Sequence, residues 1–428
     1  MTVPSTPPTD PRAQRPTCID LYAGAGGLSL GMEQAGFEVL AAAELDPIHA
    51  LTHRYNMPTA KIVCGDLGSG SVSAVAGRLH AAAGLQANGL DALVGGPPCQ
   101  GFSVGGVRDI EDERNNQFLR FVDLVVELQP KVFLLENVAG LLEPRFEPLR
   151  KEALRRLSAV GGYEVAGYDA ALNAADFGVP QRRRRVLIVG SRIGAVPHLV
   201  PDRTAPRITV GEALEGLPDL AKYPRLLSDD EVELSASDLA NLRAVRSAYA
   251  RALVGIATAS NNLSWPRAFD DNWLTGSLRT VHKAKSVSRF RRTPQGGVEK
   301  VSRLYRLDPG TQARTLRAGT GSDRGSHTSP RPIHPDKNRV ITVREAARIH
   351  GYPDWFRFHR TNWHGHRQIG NSVPPPLAAA AGRALIEALG TDLPNRPENK
   401  LVLGDPEWLR MNKTDAVAEL RRLGEIVC

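Results

Sequence analysis

Cys99 stands in GGPPCQGFS, Gly95 to Ser103, directly after the apolar run DALV. Two prolines stiffen the approach to the thiol, and the glycines beyond it open a loop through GFSVGGVRDIEDERNNQ. A thiol at the C-terminal end of a strand sits where open α/β sheets bind ligands, and as a thiolate it is a nucleophile. Glu136 closes the run KVFLLENV. A carboxylate ending an apolar strand is at the edge of a low-dielectric region, placed to give a proton near neutral pH. Arg183 and Arg185, within QRRRR at 181–185, lead into VLIVG. Alternate side chains entering a strand share a face, so Arg183 and Arg185 point the same way. In DLYAGAGGLSLG, Gly24, Gly26 and Gly27 let the backbone approach a ligand closely, and a nucleotide-type cofactor is the natural occupant. The third glycine of a dinucleotide fingerprint would fall at Ser29, so the loop is not that fingerprint. Glu44 is placed for ribose hydroxyls and Asp66, ending KIVCGD, for an adenine amino group; each taken alone reads as a solvated strand end.

These residues need a scaffold, and the pattern around them supplies one. Apolar runs CIDLYA, EVLAAAEL, KIVCGD, DALVGG, KVFLLENV, YEVAGYDA and RVLIVGS alternate with helical stretches such as SLGMEQAG, PIHALTHRYN, VSAVAGRLHAAAG, 116–128 and EPLRKEALRRLSAVG. That alternation implies a doubly wound, mostly parallel α/β sheet with helices on both faces. It stops after Ser191. Residues 192–364 are irregular, with a helix predicted over Ser228–Leu253 from a Ser228/Glu231 capping box and a Leu239, Leu242, Val245, Tyr249, Leu253 face. TVREAARIHG then reads as helix, and VPPPLAAAAGRALIEALG as a Pro-initiated helix ending at Gly390. The division expected is a disordered lead-in over 1–16, a main domain of 17–191 plus 365–390, a second smaller domain over 192–364, and a C-terminal extension over 391–428 whose KTDAVAELRRLGEIVC is amphipathic.

Composition excludes other classes. The chain has 428 residues, enough for two or three domains, and four cysteines, at 18, 64, 99 and 428, with no CxxC pair. A disulfide scaffold and a zinc finger are excluded; Cys18 and Cys64 read as small buried hydrophobes and Cys428 as a spectator. His327, His334, His350, His359, His364 and His366 lack partners at metal-ligand spacing, so no metal is expected. The lead-in has no apolar core and no apolar run spans a bilayer, so a cytoplasmic protein with no membrane association is expected. The net charge is +8. Residues 279–324 hold twelve basic and three acidic side chains, so the excess is local and suits an anionic partner.

In their order, DLYAGAGG, GGPPCQGFS, ENV, QRRRR read as QxRxR, TVREAARIHGYP and GNSVPPPLA resemble the motifs of the cytosine-specific DNA methyltransferases that methylate carbon 5, of bacterial restriction-modification type. The resemblance covers about residues 17–190 and 330–385. It implies a Rossmann-like S-adenosylmethionine-binding domain with a separate target recognition domain. Tyr22, Ala23, Gly24, Gly26, Gly27, Leu28, Glu44, Asp66, Pro98 and Asn371 match positions around S-adenosylmethionine. Cys99 matches the nucleophile and Glu136 the acid beside the base, while Arg183 and Arg185 match the arginines that hold the cytosine and support the loop. Gln100, Ser103, Arg289, Arg291 and Arg292 are the expected contacts to double-stranded DNA. A monomer is implied, with a restriction endonuclease as a functional counterpart. A tRNA methyltransferase and a silent DNA-binding regulator are the alternatives, the first disfavoured by the long 192–330 segment and the second by the intact chemistry-bearing positions.

Overall fold

The structure, a computed structural model, describes residues 15–86, 89–98, 115–199, 207–319 and 331–428. Its strands are β1 Thr17–Leu21, β2 Glu38–Glu44, β3 Lys61–Cys64, β4 Ala92–Gly95, β5 Val132–Val138, β6 Glu164–Ala166, β7 Leu172–Asn173, β8 Gln181–Arg182 and β9 Arg184–Ser191. Shorter ones follow: β10 Val232–Glu233, β11 Arg267–Ala268, β12 Trp273–Leu274, β13 Ala313–Arg314, β14 Leu401–Val402 and β15 Ile426–Val427. The helices of the first half are α1 Gly27–Ala35, α2 Pro47–Asn56, α3 Val72–Ala83, α4 Asn115–Leu128 and α5 Glu147–Arg155. Then come α6 Val210–Leu214, α7 Ala236–Arg243, α8 Ala248–Leu253, α9 Ala284–Arg292, α10 Val343–His350, α11 Asn362–Asn371, α12 Pro375–Leu389 and α13 Lys413–Arg422.

The central sheet runs β15-β3-β2-β1-β4-β5-β9-β6, with β7 also on β9. From β15 to β5 the strands are parallel. β9 is antiparallel to β5, β6 and β7, which the alternation of runs did not reveal. Strands β6 and β7 reach β9 through short connections, and antiparallel neighbours need no crossover helix. One face of the sheet buries Leu21, Leu93 and Phe133 against α3 and α4 through Leu79, Phe118, Phe121 and Val125. The other packs Val94, Leu134 and Leu187 against α1 and α12 through Leu28, Met32, Leu377 and Leu385. Helices α1 and α12 approach closely because Gly31 and Gly382 have no side chain: a Cβ on either would overlap Ala378 or Ala35. Cys18 and Cys64 are buried in strands.

Segment 391–428 is woven into this sheet. β15 pairs with β3, and Ala416 and Leu420 of α13 bury against Ile48, Leu51 and Ile62. Glu425 accepts from Arg54 Nε at 2.8 Å and from Ile62 N at 2.7 Å. β14 pairs with β11, so the same segment also holds the irregular region. That region is fixed again at Arg267, whose two terminal nitrogens donate to Glu33 of α1 at 2.9 and 2.8 Å with both side chains buried. Arg15, at the end of the stretch read as a floppy lead-in, is buried and donates to the carbonyls of Glu33, Phe37 and Leu263.

The single helix expected over Ser228–Leu253 is corrected to β10, α7 and α8. Ser228 Oγ donates to Arg225 O, and Glu231 is taken by Arg357 and Arg410, so no capping box forms there. Ser235 and Ser247 each accept from a backbone N–H three residues on and start new helices. The apolar spacing matched one long helix, but local caps broke it into two.

Candidate functional site

Sheet order reverses between β1 and β4: β2 and β3 lie on one side, β5 on the other. In doubly wound sheets a ligand crevice opens at the carboxyl ends of the strands at this switch point. The glycine loop follows β1 and the Pro-Pro turn follows β4, so the two motifs flank it. Tyr22, Gly24 and Gly26 all have positive φ, 58, 57 and 102°. For a tyrosine this is strained backbone, held by its hydroxyl, which donates to Gln117 Oε1 at 2.9 Å. A Cβ on Gly24 would meet nothing within 4 Å, so the loop's open side is clear.

Each expected cofactor residue has a definite place. Glu44 accepts from Gly24 N at 2.8 Å through one oxygen and from Asp46 N at 2.9 Å through the other. Each carboxylate oxygen keeps a lone pair for a ligand hydroxyl. Asp66 accepts from Gly68 N at 2.8 Å and Gln117 Nε2 at 3.1 Å beyond β3. Ala23 is buried and Leu28 packs in the core, so what these two offer the loop is backbone. A Cβ on Gly27 would overlap the Tyr352 hydroxyl and Val373 O, which shows how tightly GNSV closes on the loop. Asn371, at the end of α11, is exposed beside it. Pro98 is partly buried at the end of the described part of its loop. Sequence reading passed over Leu45, which is 65% exposed between Glu44 and Asp46. An apolar side chain held out at a strand end suits a flat ring.

Cys99, Gln100 and Ser103 lie outside the described residues. The ground beside them is defined. A Cβ on Gly96 would sit 3.1 Å from Glu136 Oε2, and Asn137 Nδ2 is 3.5 Å from Pro97 O, so ENV packs under the turn that leads to the thiol. The β5–β9 register sets Val138 opposite Arg185, and Arg185 Nε reaches Glu136 Oε1 at 2.6 Å with both side chains about 11% exposed. Arg183 goes elsewhere. Its guanidinium donates to the carbonyls of Leu316, Gly370 and Ser372 at 3.1, 2.9 and 3.0 Å, and it is buried. Gln181 Nε2 donates to His350 Nδ1 at 2.9 Å, which puts the ring proton on Nε2, 3.1 Å from Ser372 O. The QRRRR, RIHGYP and GNSV motifs thus meet in one buried polar cluster.

Basic residues gather nearby in a form the sequence did not show. β13 pairs with β8, Arg314 beside Arg182. With Arg303, Arg317 and Arg331 they line a cavity of about 380 Å³. The Arg314 guanidinium lies 4.1 Å from the centre of the Tyr305 ring. On α9, Arg291 and Arg292 are exposed, while Arg289 pairs with Glu299 at 3.4 Å. Among the described residues no group of three or more His, Cys, Asp or Glu could hold a metal ion, and no helix is long and apolar enough to cross a membrane.

Comparison with known proteins agrees with this arrangement. Residues 16–387 match the family profile of the C-5 cytosine-specific DNA methylases. The type II methyltransferase M.XorII of Xanthomonas oryzae pv. oryzae is 46% identical over 404 residues, covering 94% of this chain and 92% of its own. The type II methyltransferase M1.HphI of Haemophilus parahaemolyticus is 31% identical over 377 residues, 87% of each chain. A crystal structure of a prophage-encoded DNA modification methyltransferase from E. coli superposes with a TM-score of 0.70 at 32% identity, covering 88% of this chain and 99% of that one. S. pombe Dnmt2, 17% identical with a TM-score of 0.52, shares the fold. Matched along most of its length, the chain belongs to the C-5 cytosine-specific DNA methylase family and is a DNA (cytosine-5-)-methyltransferase of the type II kind.

Proposed function

We propose that the protein transfers a methyl group from S-adenosylmethionine to carbon 5 of a cytosine flipped out of a specific duplex DNA sequence, through a covalent bond between Cys99 and the base. The observation that carries this reading is the Glu136–Arg185 pair under Gly96, with β4 alone standing between β5 and the strand that leads into the glycine loop at the switch point. Glu44, Leu45 and Asp66 would hold the ribose and adenine of the donor, and Gly24, Gly26 and Gly27 would admit its backbone contacts.

Carbon 5 of cytosine is a poor nucleophile. The Cys99 thiolate adds to carbon 6 while Glu136 gives its proton to the ring nitrogen, and the resulting enamine takes the methyl group at carbon 5 as the S–CH3 bond breaks, its electron pair staying on sulfur and S-adenosylhomocysteine leaving as a neutral thioether. A base then removes the carbon-5 proton, the thiolate leaves, and Glu136 recovers its proton. Arg185 orients Glu136 and offers a donor to the base. A stacked cytosine cannot be reached, so flipping costs a few kcal/mol, offset by contacts to the displaced strands. The arginine-lined cavity supports binding of DNA phosphates by Arg182, Arg303, Arg314, Arg317 and Arg331, alongside Arg291 and Arg292 of α9. The cellular role that fits is cytoplasmic protection of host DNA from a cognate endonuclease, by a monomer.

Incubation with labelled S-adenosylmethionine and unmethylated duplex DNA tests the reading. Wild-type protein labels cytosine in DNA and Cys99→Ser does not, though it still binds both substrates. Equal labelling by the two proteins would rule out the covalent route; labelling of tRNA in preference to duplex would rule out the substrate.

A further inference from the structure

Beneath the glycine loop lies a buried polar chain that methyl transfer does not itself use. Asp20 on β1, Ser29 on α1 and His53 on α2 are all 0% exposed. Ser29 Oγ donates to Asp20 Oδ2 at 2.6 Å and stands 2.8 Å from His53 Nε2. A hydroxyl has one proton, so with Asp20 ionised the serine donates to the carboxylate and accepts from His53 Nε2–H. At the two ends of the chain, Asp20 Oδ1 and His53 Nδ1 have no hydrogen-bond partner among the described residues. Buried polar atoms are ordinarily paired, and exceptions ask for an explanation.

The chain touches the loop directly. A Cβ on Gly26 would lie 3.0 Å from His53 Cδ2, so the imidazole is the floor under the left-handed turn at φ 102°. Ser29 lies in the first turn of α1, the helix that the loop begins. A shift of His53 or Ser29 therefore moves the loop, because GNSV presses on its other side.

We infer that Asp20, Ser29 and His53 are positioning residues whose hydrogen-bonded chain holds the glycine loop, and whose charge state sets how well the methyl donor is bound. The inference rests on the reading of this loop as the donor site. Burial, opposed by the Ser29 hydrogen bonds and reinforced by Glu44, pushes Asp20 up to about 7. Burial, with Arg54 adding, drives His53 down to about 3, so the imidazole stays neutral and Asp20 is the member that changes. The titratable groups facing Asp20 are Cys18 on its own strand, Glu44 from β2, His53 from α2 and Tyr352 after α10. A sulfonium is a cation and is held better over an ionised carboxylate, so donor affinity falls as pH drops through neutrality. S-adenosylhomocysteine lacks that charge and follows less steeply.

Dissociation constants of the full chain for both compounds, measured by calorimetry from about pH 8.5 to about pH 5.5, read this directly. In wild type the affinity for S-adenosylmethionine falls about fivefold to tenfold across that range, and that for S-adenosylhomocysteine less than about twofold. Asp20→Asn, isosteric and unable to ionise, flattens the first profile. Ser29→Ala, which removes one oxygen, raises KM for the donor while leaving kcat at saturation, and serves in its place should Asp20→Asn fail to fold. An Asp20→Asn profile as steep as wild type with donor still bound, or a Ser29→Ala KM for the donor equal to wild type, overturns the relay alone. Equal slopes for the two compounds in wild type do the same. No binding of S-adenosylmethionine by wild type at any pH overturns the donor reading, and the relay with it.

Discussion

Arg183 and Arg185, two positions apart in QRRRR, have different tasks. Arg183 is spent on three backbone carbonyls from two distant segments, whereas Arg185 faces the carboxylate of Glu136. Arg183→Ala removes the guanidinium from the carbonyls of Leu316 and Gly370, leaving Ser372 O to His350, and should cost about 2–5 kcal/mol of stability, read as a lowered melting temperature. Arg185→Ala should instead lower the rate of methyl transfer by about a hundredfold or more, with a smaller effect on melting. Similar melting losses in both, with similar rates, would contradict this division. The sequence placed both on one strand face, which was as far as alternation could go. Which of them meets Glu136 depends on the β5–β9 register and on where residues 316 and 370–372 return, and neither is written in the motif.

At the level of elements, the irregular region is joined to the catalytic sheet in part through heavily buried polar contacts. Arg267 and Glu33 form a bidentate pair with side chains 0% and 3% exposed, and Glu33 also accepts from Trp265 N. Breaking a buried pair leaves an uncompensated charge. Glu33→Gln or Arg267→Met alone should therefore destabilise by about 3–5 kcal/mol, and the double variant by less than the sum. Chemical denaturation of the three variants checks this; strict additivity would show that the pair does not act as a unit. The same region shows why its outline was hard to read. A helical spacing across Ser228–Leu253 is real, yet Ser235 and Ser247 cap their own helices, and capping worth about 1 kcal/mol each outweighs continuity when no single face has one long partner.

For the whole molecule, charge and protonation give two further expectations. Of the basic excess over 279–324, Arg306 is buried on backbone carbonyls and Arg289 is paired, while Arg303, Arg314 and Arg317 line the cavity and Arg291 and Arg292 are exposed on α9, the positions proposed for DNA. Reversing Arg303, Arg314 and Arg317 should weaken DNA binding for all sequences alike and reduce the slope of log affinity against log salt by about 0.9 per lost phosphate contact. An unchanged slope would place the duplex elsewhere. Acid should also unfold the protein early. Burial holds His359 and His364 down to about 4, and His53 and His366 down to about 3. Their stabilisation is complete above the ordinary histidine range near 6.5 and is lost as pH falls toward 4 and below, because the unfolded chain takes up protons that the folded one refuses. Asp20, raised to about 7, has the opposite sign: its contribution is present in acid and is lost as pH rises through 7. Four histidines outweigh one aspartate, so the melting temperature should fall between about pH 6.5 and about pH 4. A flat profile over that range would show that these rings are solvated.

Some properties of this protein were set by local sequence. Gly24 and Gly26 permit a left-handed turn, apolar runs of strand length alternate with helical ones, and Cys99, Glu136 and Arg185 have types that suit one chemistry. Such features act over a few residues, so a linear pattern can report them. Other properties were decided by long-range packing. The antiparallel β9, the placing of β15 on β3, the gathering of Arg182, Arg303, Arg314, Arg317 and Arg331, and the meeting of Asp20, Ser29 and His53 under the loop all join residues far apart in the chain. Hydrophobic burial and hydrogen-bond satisfaction choose those partners in three dimensions. Periodicity records which face is apolar, but not what will cover it.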